Sequence, residues 1–186
     1  MSQPSSKRAA QRSFVEDIQR SLSRFHRRAQ WRPRYGDDDC TVATLPRLIP
    51  VSCKDRSDLY LAAVFGFHAE KEEGRRAWRV VLDSYYYALC LNDDLDAEMV
   101  AWHWHPGTDW WLPHVHVHWR EAPIDDFGRV HIPTSYVTFE QVLLFLMQDR
   151  RIQAVAHVGD ATEYFAQKLA ESRRGGMWFA ESYETE

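Results

Sequence analysis

The spacing of apolar and polar positions divides the chain into three regimes. Phe14, Ile18, Leu22 and Phe25 recur at helical spacing, with Arg20, Arg24, Arg27 and Arg28 on the other side. That pattern predicts a basic amphipathic helix over 13–31, opened by the capping box Ser13-Phe14-Val15-Glu16, with residues 1–12 as a disordered basic tail. Residues 32–57 carry Pro33, Pro46, Pro50 and the run Asp37-Asp38-Asp39, and predict an irregular connector with one short strand near Leu48.

In the second regime the period drops towards two. Leu59 to Phe67 and Trp78 to Leu91 are rich in aromatic and β-preferring residues around the charged EKEEGRR segment, which predicts a hairpin. Met99 to His105 and Leu112 to Trp119 add a third and fourth strand, and about Arg129 to Ile132 a short fifth. The helical period then returns. Thr138-Phe139-Glu140-Gln141 caps the apolar VLLFLM helix, and Asp160-Ala161-Thr162-Glu163 opens a helix ending at Gly175-Gly176.

Strands in one block with helices segregated to its ends predict an α+β fold. The expectation is an antiparallel sheet of four to six strands with an N-terminal amphipathic helix and two C-terminal helices. It forms a single domain over 13–176, with sheet within 58–132, helices within 138–174 and a tail at 177–186.

Composition narrows the class. The 45% hydrophobic and 27% charged residues are ordinary for a globular protein, although eight Trp is high. The longest apolar runs, such as Val142 to Met147, are far shorter than the ~20 residues that span a bilayer, and Met1 to Ala10 lacks a signal peptide's apolar core. The expectation is a cytoplasmic protein with no membrane partner. Cys40, Cys53 and Cys90, with no CxxC spacing, read as reduced core thiols. Residues 1–34 hold nine Lys or Arg against Glu16 and Asp17, although the whole chain is at −4. This asymmetry fits either an arm that touches nucleic acid or an acidic partner, or one that folds back on its own acidic body.

The chemistry concentrates in AWHWHPGTDWWLPHVHVHWR, residues 101–120. Strand alternation places His103 and His105 on one face with Trp102 and Trp104 on the other, and likewise sets His114, His116 and His118 against Val115, Val117 and Trp119. The eight-residue link PGTDWWLP is short enough for antiparallel pairing, and in matching register the five imidazoles form one patch. Three readings fit that patch. His103, His105, His114 and His116 converge on a divalent transition metal (zinc, manganese, iron or nickel), with Asp109 or His131 as a further ligand or a residue that orients one. Alternatively the site is metal-free, one His acting as general base or nucleophile and others binding a phosphate, and the candidate catalytic set is His114, His116 and Asp109. In the third reading the histidines are a sheet face that satisfies its hydrogen bonds or bridges to another subunit.

Trp102, Trp104 and Trp119 read as core. Trp110 and Trp111, in the turn, read as an exposed rim that could stack nucleobases, and with Arg20, Arg24, Arg27 and Arg28 they form the candidate nucleic-acid-binding set. Asp83 reads as a strand-edge charge and Asp93, Asp94 and Asp96 as a solvated turn. No Gly-rich phosphate loop, GxSxG elbow or HExxH helix is present.

Two resemblances extend this reading. His114-Val115-His116-Val117-His118-Trp119 is similar to the signature of the histidine triad nucleotide hydrolases, which implies His116 as nucleophile on an α-phosphate. Over about residues 58–148 the ordered set YYYALCLND, HWHPGTDWWLP, PHVHV and TFEQVLLFL resembles the TumE-like family, carried by His105-Pro106 and by Pro113, His114, His116 and Val117. That resemblance implies the toxin-side component of a bacterial toxin–antitoxin module, with a cognate antitoxin as partner. Combined with the histidine patch, it makes the expected activity that of a histidine-based or metal-dependent nuclease or phosphoesterase acting on RNA or a nucleotide. The rival expectation is a non-enzymatic module that binds RNA or protein.

Overall fold

The computed structural model describes residues 4–36, 41–45, 47–51, 59–118, 131–148 and 158–175. Helix α1 (Lys7–Phe25) starts earlier than the Ser13 box predicts. Ser6 is its N-cap, accepting a hydrogen bond from the Ala9 N–H at 3.2 Å, and Ala10 is already buried, so residues 7–12 are helix and not a disordered tail. Two adjacent alanines behind a serine cap suffice to propagate the helix backwards.

The proline-bearing connector also contains more structure than its composition predicts. It holds strands β1 (Arg32–Tyr35), β2 (Thr41–Thr44) and β3 (Ile49–Val51). Pro33 and Pro50 are tolerated because β1 and β3 lie at sheet margins, where a missing N–H can face away from the ladder. The long hairpin β4 (Leu59–Lys71) and β5 (Trp78–Cys90) follows, then β6 (Glu98–Trp104), β7 (His114–Val117) and β8 (Ile132–Pro133). Gly74, at φ 71°, turns the β4–β5 hairpin in the left-handed region where a side chain is strained.

These eight strands make one antiparallel sheet in the order β1-β2-β4-β5-β6-β7-β8, with β3 also pairing with β4. The α+β class holds, and the sheet is larger than the four to six strands expected because the connector contributes three. Helices α2 (Phe139–Gln148) and α3 (Val158–Gly175) complete the fold. The Thr138 box closes reciprocally: its Oγ1 accepts from the Gln141 N–H at 3.2 Å, and its own N–H donates to Gln141 Oε1 at 2.7 Å. No helix among the described residues is long and apolar enough to cross a membrane.

The helices cover one face of the sheet. Phe14 packs edge-on against Phe65 and Phe67, and Phe139 against Phe65 and Trp31, over the parallel-stacked Tyr85 and Tyr87. Burying a large side chain of this kind contributes roughly 1.5–3 kcal/mol, so this aromatic layer is the main source of stability. Trp104 is buried in the same layer, and Trp102 packs half-buried at its border. The opposite face carries only a small apolar cluster, Ala62, Ala88, Cys90 and Ala101, with Tyr60 and Tyr86 against it. Asp83 lies in β5 beyond the Tyr85–Cys90 stretch that pairs with β6, at the bulge opposite Gly66 and Phe67, and its carboxylate meets His68 Nδ1 at 2.7 Å. Trp119, Cys40, Cys53, residues 129–130 and the 177–186 tail lie outside the described residues.

Candidate metal centre on the open face of the sheet

Strands β6 and β7 pair in the register His103 to His114 and Ala101 to His116. Directly opposed residues share a face, so both β7 histidines project beside His103, away from the helices. Pairing of His114 with Pro133 and Val115 with Ile132 then brings His131, just before β8, alongside His116. Four imidazoles result in one stack. His103 and His116 have centroids 4.4 Å apart, His116 and His131 4.4 Å, and His114 and His131 4.7 Å at an interplanar angle of 8°.

The two outer histidines flank the stack. His105 Nε2 lies 3.3 Å from His103 Nδ1. At the other end His118 Nε2 meets Glu98 Oε1 at 2.8 Å, while the Tyr86 hydroxyl donates to Glu98 Oε2 at 2.7 Å. Plain alternation along β6 would put Glu98 on the tryptophan face. A bulge between Leu89 and Cys90 sets Glu98 opposite Cys90 and swings it to the histidine side.

Proton placement in the stack follows from its partners. His114 is 3% exposed, and its Nδ1 lies 2.8 Å from the Leu112 carbonyl, which can only accept; Nδ1 therefore carries a proton, and Nε2 is the ring nitrogen left to ligate. His103 Nε2, His116 Nε2 and His131 Nδ1 are buried with no hydrogen-bond partner among the described residues. Burial, with the neighbouring imidazoles, pushes the pKa of His103 down to about 3 and that of His116 down to about 4. Burial and His114 lower His105 and His131 as well. His103 and His116 are therefore neutral at pH 7, and His105 and His131 are biased the same way, with lone pairs available.

This donor set can hold a metal ion. One nitrogen from each of His114, His116 and His131 lies within 4.8 Å of the others, and Glu98, His116 and His118 form a second such group. Neutral imidazole suits zinc, copper, iron and nickel, and zinc takes three such ligands with a fourth position open. Of the four histidines that the strand pattern points to, the structure places His114 and His116 in the first group and substitutes His131 for His103 and His105. His103 instead stacks on His116, and His105 sits outside it.

The remaining candidates separate. Asp109 is exposed in the β6–β7 turn and makes no hydrogen bond or ion pair with the histidines among the described residues. Trp110 and Trp111 are 44% and 47% exposed, and Trp110 meets His131 edge-on at 4.7 Å, so the rim adjoins the stack. Arg20, Arg24, Arg27 and Arg28 do not join that rim. Helix α1 packs against β4 and β5 on the covered face, so the sheet stands between the arginines and the histidines. Arg20 pairs with Asp17, which also meets Lys168 at 3.4 Å, and the Arg24 guanidinium lies over the Tyr164 ring, so part of the basic arm is spent on its own fold.

Glu98 is the functional group that sequence reasoning missed, since only the bulge brings it to this face. No protein-family model, curated protein or solved structure matches the chain.

Proposed function

We propose that this protein is a zinc-dependent hydrolase that cleaves a phosphoester of a nucleotide or RNA, in the toxin-side role that the TumE-like resemblance implies. The observation that carries this reading is the stack itself: three buried, unpartnered ring nitrogens beside a fourth imidazole whose Nε2 is left free by the Leu112 carbonyl. Each unpaired buried polar group costs about 1–3 kcal/mol, and a fold that retains several in one place gains them back when a cation binds.

His114, His116 and His131 would hold the zinc ion, which when bound would supply a Lewis acid able to activate water near pH 7. The Leu112 carbonyl fixes the tautomer and ring angle of His114. His103, stacked on His116 and held neutral by burial, excludes water from one side of the site. Trp110 and Trp111 offer flat apolar surface for a base, a contact worth ~1–3 kcal/mol per base stacked.

The test is metal content and hydrolysis of bis-p-nitrophenyl phosphate and of a short RNA by purified protein, before and after chelation and zinc reloading. Activity that follows zinc and is lost in folded His114→Ala and His131→Ala variants is expected. Protein that neither retains zinc nor is affected by these substitutions refutes the reading. Activity that persists without metal but needs His116 would instead support the histidine-triad chemistry.

A further inference from the structure

The site described above leaves Glu98 and His118 without a task. We infer that the open face carries a second metal site, formed by Glu98, His116 and His118, which shares His116 with the all-imidazole site; the inference rests on the proposed zinc reading.

Three observations carry it. First, the ligand atoms of Glu98, His116 and His118 lie within 4.8 Å of one another, as close as the first set. Zinc takes three or four protein ligands, so two overlapping triplets exceed what one ion uses. Secondly, the carboxylate is already aimed. The Tyr86 hydroxyl holds Glu98 Oε2, leaving Oε1 on the histidine side against His118, the support that a ligating carboxylate ordinarily receives. Thirdly, the bulge in β6 is what brings Glu98 to this face; without it the carboxylate would point into the aromatic core.

The two sites differ in chemistry. Glu98 brings a carboxylate to the second ion and leaves coordination positions open, whereas the first ion has imidazole ligands only. His118 lies at the solvent side, with its side chain 38% exposed, so substrate would reach the second site more readily. His116 serves both ions through its two ring nitrogens. That requires loss of its N–H proton to solvent as the second ion binds.

Zinc per chain, counted by mass spectrometry of metals after gel filtration, tests this. Two ions are expected in the wild type, one in Glu98→Gln, one in His118→Ala, one in His131→Ala and none in His116→Ala. Calorimetry in buffers of different ionisation enthalpy should show one additional proton released with the second ion. If His116→Ala does not fold, Glu98→Gln and His118→Ala still decide. A single zinc in the wild type that both of these variants retain overturns the second site, and two ions without the extra proton overturn the sharing of His116. A wild type that binds no zinc refutes the first reading and the second site with it.

Discussion

The two faces of β5, β6 and β7 are built by the same alternation and do opposite things. On the covered face, Tyr85, Tyr87 and Trp104 interlock with Phe65 and Phe139 beneath three helices; Tyr85 Oη accepts from the Val137 N–H at 3.1 Å and Trp104 Nε1 donates to the Trp111 carbonyl at 3.1 Å, while the buried Tyr87 hydroxyl has no hydrogen-bond partner among the described residues. On the open face, one residue further along each strand, imidazoles stack with ring nitrogens left unpartnered. The covered face devotes its area to packed rings and leaves its few unpartnered hydroxyls scattered among them. The open face leaves lone pairs for something to bind. A pleated strand can thus separate stability from chemistry across the thickness of one sheet.

The largest effect that would break this contrast is on the covered side. Phe65→Ala should cost about 3–5 kcal/mol in urea unfolding, because the ring meets Phe14, Trp31, Tyr87 and Phe139, while the fraction that remains folded should bind zinc as before. Loss of zinc binding in that folded fraction would show that the faces are coupled.

On the open side the order reverses. His131→Ala should weaken zinc binding by more than the ~10–100-fold that disturbing an outer-shell partner costs, measured by competition with a chelator. Its apo-protein urea midpoint should move little. An unchanged affinity would remove His131 from the ligands.

Acid should act through the same face. The folded-state pKa values of His103 and His116 lie below the ordinary 6.5, so the folded protein binds fewer protons than the unfolded chain. Their contribution to stability is present above about pH 6.5 and is lost as the pH falls towards the folded values of about 4 and about 3. In chelator, the urea midpoint should therefore drop between pH 6.5 and 4. His103→Leu, which removes the group pushed furthest, should flatten that limb; an unaltered slope would mean that other groups dominate the acid response.

The smallest effect belongs to the far side of the sheet. Arg27→Ala and Arg28→Ala, both exposed beyond the C-terminal end of α1, should change stability by less than ~0.5 kcal/mol and leave zinc affinity unchanged. A measurable fall in RNA affinity in these variants, with hydrolysis of the small phosphodiester intact, would show that the basic arm acts as a separate contact.

Much of the site is legible along the strands. Alternation alone places His103 and His105 opposite Trp102 and Trp104, and it separates His114 and His116 from their valines, because side-chain direction in a strand is a local property with a period of two. Of the capping boxes, the Thr138 box forms as its spacing predicts, whereas Ser13 lies inside α1, which Ser6 caps. The prolines of the connector mislead, since proline excludes a strand from a sheet interior but not from a margin, and which margin is free depends on the partner.

What the chain alone determined about this protein is therefore the contents of each face: which residues share a side, and that one side is histidine. Tertiary structure decided the rest. Register chose His131 over His103 and His105 as the third member of the tight group, a bulge turned Glu98 out of the core, and docking of α1 put its arginines behind the sheet. Register, bulges and docking are set by contacts between segments distant in sequence, and so by the packing energy of the whole fold, which no local period encodes.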